Sequence, residues 1–398
     1  MSAITHPYPA ASVPTSGATA IRSARLPWYC HIVVLAAMCI PIGTLWDISW
    51  HETIGRDTFW TPAHIMIYFG GAFPGMLCGW IVLQHTFRPA ADPVAAVVRL
   101  WGFRGPLGAW VTIWGSLAML VSAPFDNWWH DAYGLDVQIL SPPHSLLALG
   151  MYGVAMGAMI LILSWRNRAT EAQRPAANRL FLLSCGTLVT MVTVIIMEMT
   201  FPNAQHGAEF YRVVCLMVPL YLVAAARASG LCWAATWAAA AYTAIGLLML
   251  WILPLFPAHP MLGPIYNPVT HMVPEPFPLL VIFPAIAMDL ILRWLGRGRG
   301  FWRDTGLALV LGAAFFLVLL AVQWPFASFL LSPAARNPVF GGDAVWSYGA
   351  KLGEWTTQFW ERDHNTLTFT AAGIAILFAA IQCRLALWFG NWLATVKR

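Results

Sequence analysis

Residues 28 to 64 read WYCHIVVLAAMCIPIGTLWDISWHETIGRDTFWTPAH, and this stretch decides the fold. An apolar run over 28–46 is long enough to cross a bilayer, a polar turn follows, and Pro62 opens a second apolar run over 62–84. Hydrocarbon offers the backbone no hydrogen-bond partners, so each run has to satisfy its own N–H and C=O groups as a helix. Working outward, similar runs recur near 106–124, 143–165, 179–200, 211–227, 231–254, 277–295, 305–323 and 368–390. Composition agrees: 59% of residues are apolar and 10% charged, against about 25% charged in a soluble domain. The expected fold class is an all-α polytopic membrane bundle of about ten transmembrane helices.

Charge sets the expected orientation. With a polar tail at 1–27 inside, 17 of the 22 basic residues fall in inner segments, leaving Arg56, Arg212, Arg336, Lys351 and Arg362 outside. Both termini are then cytoplasmic. The net charge of +5 sits in short connecting loops, which gives no footprint for nucleic acid. The seven cysteines show no CxxC spacing and lie in apolar runs, as membrane-embedded thiols rather than disulfides or a zinc site.

Acidic residues and histidines follow the opposite asymmetry. Asp47, Glu52, Asp57, Asp126, Asp131, Asp136, Glu198, Glu209 and Glu275 all fall at outer hairpin ends, together with His51, His64, His130, His144, His206, His259 and His271. Such groups near hydrocarbon cost several kcal/mol unless paired, wet or ligated. Two segments repeat one design. Asp47, His51, Pro62 and His64 match Asp126, His130, Pro143 and His144 in the stretch FDNWWHDAYGLDVQILSPPH, residues 125 to 144. Asp and His four apart share a helix face, and a Pro in the first turn of the returning helix brings the last His back opposite them. Two imidazoles and a carboxylate then make a metal site with open positions. The plainer reading is an interfacial hydrogen bond within a tryptophan belt. Asp57 and Asp136 suit loop or N-capping roles before the returning helices, and Arg56 a pairing with Glu52 or Asp57.

The stretch WHETIGRDTFWTPAHIMIYFGG resembles the C subunit of the copper membrane monooxygenases, the particulate methane and ammonia monooxygenase family. The likeness covers roughly residues 28–165. It implies a copper site on Asp47, His51 and His64, where the Asp-x3-His-x12-His spacing is kept. A second family pattern, Asn-x3-His-x13-His, lands on Asp126, His130 and His144, with Asp standing in place of Asn. That exchange adds a negative charge, which favours Cu(II) or admits another metal; iron and zinc also suit such ligands. The resemblance further implies A- and B-type partner subunits, a trimer of protomers, and a bacterial inner membrane with the metal sites toward the periplasm.

Three segments are thus expected: the tail at 1–27, a four-helix unit at 28–165, and six further helices over 166–398 with an outer amphipathic segment at 324–367. Glu198, His206, Glu209, His259, His271 and Glu275 line a polar cap or access path, or form weaker copies of the same hairpin. Asp289 is expected to pair with Arg293 one turn on. The leading functional expectation is a subunit of a copper-dependent oxygenase that hydroxylates methane, a short hydrocarbon or ammonia with O2. The alternatives are a periplasmic copper carrier or assembly factor, which scattered methionines disfavour, and an ion-coupled transporter, which the one-sided charge distribution disfavours.

Overall fold

The computed structural model describes residues 26–55, 58, 60–88, 97–133, 141–296, 298–342, 347–350, 362 and 364–398, apart from the His130 side chain. The chain is a helical bundle of membrane type. Its helices are α1 Trp28–Thr53, α2 Pro62–Phe87, α3 Leu107–Tyr133, α4 Pro142–Arg166, α5 Arg174–Ile195, α6 Ala208–Met217, α7 Pro219–Ser229, α8 Ala234–Ile252, α9 Ile282–Leu295, α10 Phe301–Leu330 and α11 Phe369–Leu393. Helices α6 and α7 make one span, Ala208–Ser229, stepped at Pro219, which has no N–H to continue the ladder. Among the described residues nine helices are long and apolar enough to cross a membrane.

The expected span at 277–295 is the exception. Pro274, Pro276 and Pro278 hold the chain extended up to Leu280, so α9 keeps only 14 residues. That is about 21 Å of helix, short of a hydrocarbon core of about 30 Å. At the other end, α10 runs on through Pro325 to Leu330, so residues 324–330 continue a span instead of opening an outer segment. Most of the expected amphipathic stretch, including Trp346, Trp355 and Trp360, lies outside the described residues.

The chain divides into two compact units. In the unit formed by residues 26–40, Ile65–Leu188 and Trp392–Arg398, helices α3 and α4 pack backbone to backbone. Gly115 faces Gly150 and Gly153, and a side-chain carbon on Gly115 would come within 2.5 Å of the Val154 nitrogen. Lipid is as apolar as leucine, so helix association in a membrane rests on close packing, which small residues permit. The α2–α3 connection carries a small antiparallel hairpin, β1 Val98–Leu100 with β2 Phe103–Gly105, turned by Trp101 and Gly102 at positive φ.

The second unit comprises Pro41–His64 and Val189–Asn391. Arg227 at the end of α7 gathers several helix ends there. Its guanidinium donates to Asn391 Oδ1 at 2.8 Å, to the carbonyls of Gly296 and Gly298, and to Asp304 Oδ1 at 3.2 Å. Buried Gln323 in α10 accepts the Leu280 N–H at 2.9 Å and donates to Gln205 Oε1 at 2.7 Å, tying the extended segment to the bundle.

Asp289 does not turn to Arg293. It accepts the N–H groups of Ala235 and Thr236, at 3.2 and 2.8 Å, and the Thr236 hydroxyl at 2.7 Å. A carboxylate from α9 thereby caps the first turn of α8, where unpaired N–H groups and the helix dipole favour negative charge. Asp289→Ala is expected to cost about 2 kcal/mol in thermal unfolding, whereas Arg293→Ala leaves the midpoint unchanged. Equal effects of the two would restore the i, i+4 pair.

Candidate metal centre

Both repeated hairpins start their returning helix with the same local device. In the first, Thr61 Oγ1 accepts the His64 N–H at 3.1 Å and Pro62 begins α2. In the second, Ser141 Oγ accepts the His144 N–H at 3.4 Å and Pro142 begins α4. A hydroxyl N-cap, a Pro at the first position and a His at the third thus recur in register. The caps are Thr61 and Ser141; Asp57 and Asp136, expected in loop or capping roles, lie with Arg56 outside the described residues. The Pro that matches Pro62 is Pro142, so the extra residue of the second copy falls in the turn.

The cap fixes the His64 backbone, and a second contact fixes its ring. His64 Nδ1 lies 3.0 Å from the Thr58 carbonyl. A carbonyl only accepts, so Nδ1 carries the proton and, in a neutral imidazole, Nε2 presents its lone pair. That Nε2 lies 3.2 Å from Asp47 Oδ1, a buried oxygen that accepts no hydrogen bond. Two lone-pair atoms this close need a cation between them, either a proton on the ring or a metal. With ligand bonds of about 2.0–2.2 Å, a 3.2 Å separation subtends roughly 100° at the ion, close to tetrahedral.

His51 stands further off. Its Nε2 is 3.9 Å from Asp47 Oδ2, and its side chain is 45% exposed against 18% for His64. In the second hairpin His144 Nε2 lies 3.5 Å from Asp126 Oδ1, while the His130 side chain is outside the described residues. Asp47 therefore brings His64 and His51 toward itself, and Asp126 brings His144. Among the described residues, however, no three His, Cys, Asp or Glu side chains form a ready-made metal-binding group.

Distant segments close over the first hairpin. Helix α1 ends in a left-handed Gly55 with φ 76°, and both the Ile54 and Gly55 N–H groups return to the Trp50 carbonyl. The Glu52 carbonyl accepts the Tyr348 N–H at 3.0 Å, the Ile54 carbonyl that of Met261 at 2.9 Å, and Thr53 Oγ1 that of Val273 at 2.7 Å. Any side chain on Gly55 would run into the Tyr348 ring. Beneath this cap Ile54, Leu253 and Met272 form an apolar cluster with Trp46 and Trp50 packed against it.

The other polar residues expected at outer hairpin ends divide. His206 is structural: Nε2 donates to the Trp324 carbonyl at 3.1 Å, with Ser328 Oγ at 2.9 Å, and its ring meets Trp324 edge-on. Burial, and then the nearby Arg362 charge, hold its pKa below the ordinary histidine value, so the ring stays neutral. His259 and His271 are exposed on the Pro-rich connection. Glu275 is buried, with Glu52 as a charged neighbour. Nothing in the local sequence pattern announces that proximity, since 223 positions separate the two (275 − 52).

This chain matches no known family model, no curated protein and no solved structure. The site has to be read from its own chemistry.

Proposed function

We propose that the chain is a copper-binding, C-type subunit of a membrane oxygenase, with Asp47, His51 and His64 as ligands of one site and Asp126, His130 and His144 of another. The observation that carries this reading is the pair Asp47 Oδ1 and His64 Nε2, 3.2 Å apart with the far nitrogen of the ring committed to Thr58. Fixing Nδ1 in this way selects the tautomer that ligates through Nε2. Asp47 contributes the negative charge that offsets a cation near hydrocarbon. His51, one turn along the same face, is the outermost ligand and the one that solvent reaches. Bound copper supplies the redox centre for O2, and the surrounding apolar wall admits a small hydrocarbon or ammonia from the bilayer. Under this reading A- and B-type subunits complete the enzyme, and the sites face the periplasm of a bacterial inner membrane.

The exposure of His51 favours a second reading, a copper carrier that releases its ion to a partner. One experiment separates the two. The purified protein, loaded with Cu(II), is expected to give an electron paramagnetic resonance signal with nitrogen hyperfine structure, reduced in His51→Ala, His64→Ala and His130→Ala. Copper resistant to a competing chelator supports the oxygenase subunit, and rapid loss to the chelator supports the carrier. A signal unchanged in all three variants removes both.

A further inference from the structure

Within the unit of Pro41–His64 and Val189–Asn391 a cleft opens between α1, α5, α8 and the extended segment before α9. Its polar lining offers lone pairs and spends its protons elsewhere. Thr193 Oγ1 donates to the Thr190 carbonyl at 2.9 Å, and Thr200 Oγ1 to the Met197 carbonyl at 3.0 Å. The Tyr242 oxygen accepts the Leu279 N–H at 2.9 Å. Glu275 also lines the cleft; it is 9% exposed, and its Oε1 is buried without a hydrogen-bond partner.

A buried carboxyl oxygen with no donor is costly, and a like-charged neighbour adds to the cost. The charge that bears on Glu275 is Glu52, another carboxyl. Burial first, and Glu52 second, push the Glu275 carboxyl up to about 8, so a proton holds the place of a counter-ion. The remaining walls include Met249, Phe201 and Phe277, apolar and aromatic surfaces that suit the flank of a small organic cation. Pro278 packs closely onto Gly246, where an added carbon would sit 3.0 Å from the proline.

We propose that this cleft is a binding site for a small protonated amine, with Glu275 as its counter-ion and the threonine oxygens as acceptors for its N–H groups. The inference stands on residues other than the metal ligands, and it holds or fails independently of the copper reading.

Calorimetric titration of the full chain in detergent with methylammonium tests it. Saturable binding is expected in the wild type. It weakens by about tenfold or more in Glu275→Gln, which keeps the shape but loses the charge. Glu275→Gln should melt no lower than the wild type, which confirms that lost binding is not lost folding. His64→Ala should bind methylammonium normally, which separates this site from the metal centre. Methanol, of similar size but uncharged, should neither bind nor compete. Equal binding by wild type and Glu275→Gln overturns the proposal. So does displacement by methanol, or equal competition from potassium, which carries charge but no N–H.

Discussion

Arg227→Met is expected to lower the melting temperature of the purified protein by roughly 10 °C, from a loss of about 3–5 kcal/mol. The guanidinium and its Asp304 partner are 9% and 6% exposed, so removing one leaves the other's charge buried without compensation. The loss reaches further than the ion pair. The Gly296 and Gly298 carbonyls lose their donors, and Asn391 keeps only its 3.4 Å contact with Asp304. The end of α7, the loop before α10, the first turn of α10 and the last turn of α11 all come undone together. Arg227→Lys keeps the charge but not the planar fork, and should fall between the two. If methionine costs no more than lysine, the multipoint geometry rather than the charge holds these ends. If neither shifts the midpoint, the cluster is not a stabilising element at all.

The second large effect is expected at the α3–α4 seam. Gly115→Val places a branched side chain against the Val154 nitrogen and the Gly150 carbonyl, backbone atoms that cannot rotate away. Overpacking a core commonly costs about 1–3 kcal/mol when neighbours can adjust; here the helices themselves must separate. Yield of monodisperse protein should fall severely, and Gly115→Ala should already melt well below wild type. Gly79 in α2 provides the contrast, because an added methyl there meets nothing within 4 Å. Gly79→Ala is expected to be neutral or to gain up to about 1 kcal/mol from helix propensity. Similar behaviour at both glycines would show that the seam is looser than its backbone distances imply.

The parts of this fold that sequence makes legible are those governed by local rules. Long apolar runs fix the spans, because length and hydropathy settle membrane helices residue by residue. The span expected at 277–295 fails for an equally local reason, the prolines before it, whose weight against the apolar composition only the backbone decides. The approach of His64 to Asp47 was readable from helical spacing and the returning Pro. The capping residues were not read, although Thr61 and Ser141 immediately precede a Pro, and that adjacency is the signal that finds them. Asp289 misleads. Its neighbour at i+4 is available, yet unpaired N–H groups at the start of α8 provide a better partner across the bundle. The proximity of Glu275 to Glu52, and the cleft that Glu275 lines, come from tertiary packing and leave no trace in spacing.

The closure of α1 by Tyr348 has a consequence for biosynthesis. The carbonyl of Glu52 emerges from the ribosome early, yet the amide that seals it is made roughly 300 positions later. During that interval the first hairpin stands without the segments that later cover the end of α1. On the proposed metal reading, an ion can therefore reach this hairpin before the later segments fold over it.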